Sequence, residues 1–573
     1  MIIEADERHD AALTDLTAEG QLLEVVSVDR PWGQQNEFKN APPTLAAYFA
    51  LMLQHSDKTF LVFQNERYSF QEVWDRSNNL AGALQAEGIK AGDRIVIAMR
   101  NYPEWIFDFI GTTIAGAIAV PLNAWWQGGE LETAIKDARA SLAIVDLERH
   151  QRLQDAGASI RQVVVRGEGA GTSTTRYEEF EDLGEAAPLP VAVAPDVDAT
   201  IFYTSGSTSY PKGAVSTHRA LSNAMLNFAA YGMAQQTVDD QNRESGAADS
   251  VLDSDSGSDP VQPAALLTVP LFHVTGCHSI FMISVLIGRK VVMLDKWNPE
   301  DALAMIERER VTSFMGVPTM SRELTEHKNA SNYDLSSLVE INAGGAARPE
   351  GHLRRLQDRY PSIRAGMAYG LTETNGTGAI NNREGYSLRP ASTGRALKPL
   401  AELAIVDEAG NEMPDGQVGE VAVRAVTLAS GYWNRPRDTA NAFLRDGWFR
   451  TGDVGYLDAE YLTIVDRKKD MILRGGENIA CQEVEAAILA DQQVLEACVF
   501  SVPDDRLGEA VCATIFVEDS KQFDENRLRQ SLQTSLAAFK HPQKFILSDV
   551  PLPRLGSGKI DKRTIKNQHN GAH

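Results

Sequence analysis

Short runs of Val, Ile, Leu and Ala alternate along most of the chain with segments whose apolar residues recur every three or four positions. RIVIAM is followed by a helical pattern around TTIAGAIAV and then by the run SLAIVDL. KVVMLD, DALAMIERERV and TSFMGVP repeat that order. Apolar runs of this kind predict strands, and their alternation with helices predicts parallel sheets in α/β layers. No fixed-period repeat marks a solenoid. Beyond Asp466-Arg467-Lys468-Lys469-Asp470 the pattern changes. A helix (CQEVEAAILA), strands (ACVFSVP, VCATIFVE) and a second helix (ENRLRQSLQTSLAAF) predict a small α+β domain, so the expected division is residues 1–466 and 467–573. Residues 235–260 are acidic and rich in Ser, Gly and Asp, which predicts a mobile surface loop. The final KNQHNGAH predicts a frayed end.

Composition narrows the classes. The 573 residues predict several structural units, and 43% hydrophobic with 23% charged residues is ordinary globular usage. That excludes a mainly disordered chain, a collagenous repeat and a disulfide-stapled miniprotein. A net charge of −23 argues against a nucleic-acid partner and against a polybasic membrane anchor. Cys277, Cys481, Cys498 and Cys512 form no CxxC pair and have no ligand spacing with histidine, so reduced thiols are expected. The first twenty residues lack the basic and apolar regions of a signal peptide. Residues 109–129 and 261–288 are uncharged and long enough to span a bilayer, but prolines and histidines interrupt them. The second stretch reads better as a strand (AALLTVP), a turn (LFHVTG) and a helix (CHSIFMISVLIG). A cytoplasmic protein without an integral membrane segment is expected.

Candidate chemistry then appears in order along the chain. Tyr203-Thr204-Ser205-Gly206-Ser207-Thr208-Ser209-Tyr210-Pro211-Lys212-Gly213 follows an apolar strand. Its hydroxyls, backbone N–H groups and lysine would cradle a polyphosphate. A Walker A reading of Gly558-Lys559 fails, because Ile560 follows and Pro553 stands at the upstream glycine position. Ser209-x-x-Lys212 has no accompanying Ser-Asp-Asn or Lys-Thr-Gly, so the penicillin-recognising pattern is a chance match. Tyr369-Gly370-Leu371-Thr372-Glu373-Thr374 puts an aromatic ring, a hydroxyl and a carboxylate in one turn, and a lone carboxylate beside phosphates suits Mg²⁺. Asp453 is expected after a strand, a common place to bind ribose hydroxyls, and Lys559 on a mobile glycine-flanked loop near the C-terminus.

Together these residues resemble the adenylate-forming superfamily, and are similar to its fatty acyl-CoA and 4-coumarate-CoA ligases, over about residues 44–565. The resemblance implies an α/β fold: a large N-terminal domain of layered α/β subdomains with a β-rich subdomain, plus a small mobile α+β C-terminal domain. It implies that Thr204, Ser205, Gly206, Ser207, Thr208 and Lys212 hold the β,γ-phosphates of ATP. Gly345-Ala346-Ala347, Tyr369 and Gly370 would frame the nucleotide, Thr372 would contact the α-phosphate and Glu373 would ligate Mg²⁺. Asp453 and Arg467 would bind the ribose, and Lys559 would bridge carboxylate and α-phosphate oxygens. Lys469 would be the pivot of the small domain, whose Gly475, Gly476 and Glu477 would reach the tunnel for the thiol of coenzyme A. One departure is Ser209, where the family usually has glycine; altered nucleotide affinity or release is expected there.

The implied reaction activates a carboxylic acid as acyl-AMP with loss of pyrophosphate, then transfers the acyl group to CoA. The pocket positions match His273, Val274, Gly276, Asn342, Gly345 and Ala368, with Cys277 nearby. Histidine follows Phe272 where amino-acid-activating relatives carry aspartate, so a medium or long fatty acid or a bulky hydrophobic acid is favoured. An aryl acid of the cinnamate or benzoate type is the alternative. Transfer to a carrier protein in trans is a further one. A non-catalytic binder is disfavoured because Glu373, Asp453, Arg467 and Lys559 are all present. Acetylation of Lys559 is a regulatory option, and the oligomeric state is left open, a homodimer being one choice.

Overall fold

RIVIA forms the strand Arg94–Ala98, with Ile95 and Ile97 in one buried cluster and Val96 and Ala98 in another. Successive side chains point to opposite faces, so a strand covered on both sides needs an unbroken apolar run. This computed structural model describes residues 2–167, 175–184, 188–189, 191–204, 211–244, 262–444, 446–475, 477–504, 506–520, 522–556 and 558–570.

Two large sheets lie among them. The first has the order Gly431–Tyr432, Lys212–Thr217, Asp198–Thr204, Ile118–Pro121, Arg94–Ala98, Leu142–Asp146, Gln162–Val165, Thr175–Arg176, and it is parallel from Asp198–Thr204 onward. The second is parallel through Arg364–Tyr369, Glu340–Gly344, Ser313–Gly316, Ala264–Leu267, Lys290–Met293 and Thr59–Phe63, with antiparallel strands at both ends. Residues of both sheets share one apolar core, at whose centre Trp105 stacks on Phe109 with ring centroids 5.1 Å apart and Phe49 stacks on Phe281 at 5.8 Å. A four-stranded antiparallel sheet follows, ending in Trp448–Asp458 and Tyr461–Arg467. The last sheet, built on Val494–Asp504 and Gly508–Val517, has its own core with the helices Cys481–Leu489 and Glu525–Ser535. The fold is therefore α/β with a large N-terminal and a smaller C-terminal part. None of the described helices is long and apolar enough to cross a membrane.

Four local expectations need correction. The helix around TTIAGAIAV is Pro103–Ile114 and stops there, because Gly116 takes φ +73° and Ala117 N–H closes on Thr112 O. That is a helix stop with a left-handed glycine, after which Ile118–Pro121 becomes a strand. The loop expected over 235–260 begins as helix, since His218–Glu244 covers its first ten residues. Val238 is buried there, and Asp239 pairs with Arg364 at 2.9 Å and with Arg383, contacts that composition does not reveal. Residues 245–260 lie outside the described ones. Asp453 sits within the strand Trp448–Asp458 and not after it. The end expected to fray over 566–573 is helical as far as Asn570, in the helix Lys562–Asn570, with Lys566 Nζ 2.8 Å from Ser501 Oγ; residues 571–573 lie outside the described ones.

Trp105→Ala should lower the unfolding free energy by about 3–5 kcal/mol through the cavity left in the shared core. Denaturant melts of the two proteins measure it, and a loss below about 1 kcal/mol would show that the two layers do not depend on this ring.

Candidate active site

Two neighbouring parallel strands set the frame. Gly344 lies beside Ala368, so the strands Glu340–Gly344 and Arg364–Tyr369 deliver Gly345 and Tyr369 to the same sheet edge. Carboxyl ends of parallel strands are where α/β sheets bind ligands. Tyr369 O–H donates to Asp453 Oδ2 at 2.8 Å, and Arg467 Nε lies 3.2 Å from Oδ1. Asp453 and Arg467 face each other on adjacent antiparallel strands, which fixes the pair in register. Asp453 is buried, and its two oxygens keep lone pairs free for further donors.

Lys559 enters this cluster from the small domain. A Cβ placed on Gly345 would come within 2.6 Å of Lys559 Cε, so the lysine stem lies directly over that glycine. Loss of water first, and then the Arg467 charge, push the Lys559 amine down to about 8, with Asp453 opposing the shift. His273 is pushed down to about 3 by burial and then by Lys559, so its imidazole is neutral near pH 7. Its Nε2 has no hydrogen-bond partner among the described residues.

Glu373 lies in the short turn Thr372–Thr374, closed by Asn375 in the left-handed region (φ 53°). Asn375 is pinned by Ser216 Oγ at 2.9 Å and by its own donation to Thr427 O at 2.8 Å. The Glu373 carboxylate is buried and accepts the Tyr432 hydroxyl at 2.8 Å; burial raises its pKa above the ordinary carboxylate range. The Tyr432 ring centroid stands 5.1 Å from Lys212 Nζ, which pairs with Asp438 at 2.9 Å. Thr204 opposes Lys212 in the hairpin and donates to its carbonyl at 3.3 Å. Ser205, Gly206, Ser207, Thr208 and Ser209 lie outside the described residues. Among the described residues no group of three or more His, Cys, Asp or Glu could hold a metal. One carboxylate fits an ion that takes its other ligands from phosphate oxygens and water, as Mg²⁺ does.

The expected pocket residues fall on two elements. On the strands, Asn342, Gly344, Gly366 and Ala368 share one face, whose large side chains, Glu340 and Arg364, stand at the far end of the strands, while Ile341, Ala343, Ala365 and Met367 face the core. His273 and Val274 precede a π-helical segment, Thr275–Met282. Gly276 admits no side chain, because a Cβ there would overlap Pro270 O, and Cys277 is buried. Ala346 and Ala347 are exposed after Gly345. Lys469 follows Arg467 in a turn where Asp470 and Met471 N–H both donate to Arg467 O. Gly475 and Glu477 are not brought to the cluster: they are exposed on a hairpin of the small sheet, with Gly475 N–H bonded to Leu507 O at 2.8 Å. Gly476 lies outside the described residues. Sequence reasoning missed Tyr432 and Asp438, whose signal was the segment GYWNRPRD with its glycine-flanked tyrosine.

The chain matches the AMP-binding enzyme family over residues 50–433 and the AMP-binding enzyme C-terminal domain over 483–559. It is 32% identical to a feruloyl-CoA synthase of an Amycolatopsis species over 87% of this chain and 94% of that one. It is 30% identical to a long-chain-fatty-acid–CoA ligase of Bacillus subtilis over 90% of this chain and 93% of that one. Its structure is similar to that of the o-succinylbenzoate CoA synthetase of Bacillus subtilis in complex with its acyl-adenylate intermediate, with a TM-score of 0.75, 25% identity, and coverage of 91% and 98%.

Gly345→Ala should displace the Lys559 stem and strain a backbone at φ +77°. Acid-dependent exchange of pyrophosphate into ATP should fall at least about tenfold. A rate within about twofold of the parent would mean the lysine does not work from this seat.

Proposed function

The chain belongs to the AMP-binding enzyme family and is an ATP-dependent acid–CoA ligase of the AMP-forming class; within that activity we propose a hydrophobic acid substrate and the following division of labour. The observation that carries it is the small-domain lysine, Lys559, half-buried over Gly345 beside the Asp453–Arg467–Tyr369 cluster.

A carboxylate is a poor acyl donor, because its leaving group would be oxide. One of its oxygens attacks the α-phosphorus of ATP, the bond to the β-phosphate bridging oxygen breaks, and pyrophosphate leaves. Both reactants are anions, so fixed cations must offset their repulsion. Lys559 supplies one at the meeting point of carboxylate and α-phosphate, and Lys212 with Thr204 takes the β,γ-phosphates. Thr372 contacts the α-phosphate. Glu373, held by Tyr432, would ligate Mg²⁺, which when bound neutralises phosphate charge. Asp453 accepts the ribose hydroxyls while Arg467 and Tyr369 hold it in place. In the second step the CoA thiol attacks the acyl carbonyl, its proton passes to solvent, and AMP departs.

Gly475 and Glu477 stand exposed while Lys559 is seated, so a second arrangement of the small domain is needed to bring them to the thiol. We assign its pivot to Lys469. The face formed by Asn342, Gly344, Gly366 and Ala368, with neutral His273, supports an uncharged chain or ring. A medium or long fatty acid or a bulky hydrophobic acid is the first reading. An aryl acid is the second, favoured by the likeness to the feruloyl-CoA synthase. Incubation with ATP, Mg²⁺ and pooled fatty, aryl and steroid acids, with and without CoA, followed by mass spectrometry, tests both. An acyl-CoA mass from the aryl pool alone would overturn the first reading, and no acyl-AMP or acyl-CoA from any pool would overturn both.

Lys559→Ala should slow adenylation about 10²–10³-fold and leave thioester formation from supplied acyl-AMP far less affected. The Lys559 amine is charged below about pH 8 and neutral above it. For adenylation, kcat/KM should therefore decline as pH rises through about 8 in the parent and lose that limb in the variant. Equal damage to both half-reactions, or the same limb in both proteins, would refute the role.

Lys469→Pro should stiffen the linker. Thioester formation should fall while adenylation persists, and intact overall turnover in this variant would remove Lys469 from the pivot.

A further inference from the structure

The turn carrying Lys559 is closed by its own backbone. Leu555 N–H donates to Lys559 O and Gly558 N–H to Leu555 O, both at 2.8 Å, and Arg554 pairs with Ile560 in an antiparallel bridge. Gly558 takes φ +82°, a conformation that favours glycine. A turn fixed internally still has to be aimed at the site.

The Arg554 guanidinium reaches three separate pieces of the molecule. Its Nη1 donates to Gly558 O at 2.7 Å, inside the lysine turn, and to Thr319 Oγ1 at 3.3 Å, on the large domain. Its Nη2 pairs with the Glu496 carboxylate, whose other oxygen accepts Leu552 N–H at 2.8 Å. Glu496 is buried on the small-domain strand Val494–Asp504. Thr319 opens the helix Pro318–Thr325, which follows the central strand Ser313–Gly316. The same helix sends Arg322 Nη1 to Leu495 O at 2.6 Å. Just ahead of it, Val317 packs against Gly558, where a Cβ would meet it at 3.2 Å.

We infer that Arg554 is a positioning residue for adenylation: it docks the lysine turn on the helix Pro318–Thr325 and so couples the seating of the small domain to the aim of Lys559. The planar fork is what the role requires. Two donors on one nitrogen serve the turn and the large domain, while the second nitrogen holds the small domain; a single ammonium lacks that geometry. Because Glu496 and Gly558 move with the small domain, the Thr319 contact is the part of the network made only when the domains are in this arrangement. The inference rests on the reading that Lys559 serves the first half-reaction.

The test compares the parent with Arg554→Lys and Thr319→Val. Three quantities are read: acid-dependent pyrophosphate exchange, thioester formation from supplied acyl-AMP, and acetylation of Lys559 by acetic anhydride followed by mass spectrometry. Arg554→Lys should lower exchange at least about tenfold, leave thioester formation within about twofold, and raise Lys559 labelling severalfold. Thr319→Val removes only the bond between Arg554 and Thr319 and should move all three the same way, exchange by about threefold. Thioester formation falling in parallel with exchange, or exchange and labelling unchanged in both variants, would overturn the role. A parent enzyme without acid-dependent exchange would sink the reading of Lys559 itself, and the labelling comparison would then still decide whether Arg554 docks the turn.

Discussion

Two anions have to meet in the proposed reaction, and the cation assigned to offset their repulsion is itself drawn partly out of water. An amine drawn partly out of water loses hydration, and that loss is the largest cause pushing the Lys559 pKa down to about 8. The neighbourhood does not compensate it fully, since the Arg467 charge opposes the protonated amine and Asp453 favours it. The charge assigned to catalysis therefore sits where protonation is unfavourable, and the negative charge of the reactants would relieve it. Much of the local structure serves this arrangement: a glycine that leaves room for the stem, a carboxylate fixed by a tyrosine and an arginine, and a paired turn that carries the lysine.

The phosphate side follows the same logic with other means. Glu373 is buried, so its charge is costly until a cation arrives, and the Tyr432 hydroxyl offsets part of that. Lys212 is occupied by Asp438 and by the face of the same tyrosine ring. One aromatic residue thus touches both the carboxylate expected at the metal and the lysine expected at the phosphates.

Much of this was readable in the sequence, for reasons that differ by element. Doubly buried strands announce themselves as apolar runs, so RIVIAM, KVVMLD and TSFMGVP were placed correctly. Tyr369, Glu373 and Lys559 sit in short motifs because each has a turn or strand end beside it, whereas Asp453 stands inside its strand. Positions set by tertiary pairing were not readable. Nothing local distinguishes Asp239 from its acidic neighbours, and only the fold brings Arg364 and Arg383 to it, which is why a loop was expected where a helix stands. Tyr432, Asp438 and Arg554 escaped for the same reason, their partners lying far away in the chain. The stop at Gly116 was misplaced because alanine and isoleucine suit both a helix end and the strand that follows.

The distribution of apolar cores carries a further consequence. The two large sheets share one core, and neither can lose its packing without exposing the other. The small domain has a separate core, and several of its bonds to the large domain, such as Arg322 to Leu495 and Arg554 to Thr319, are polar. Cores divided in this way allow the small part to open without the large one. Opening of the small unit alone would carry Lys559 away from Gly345 while the shared core of the two large sheets stayed packed.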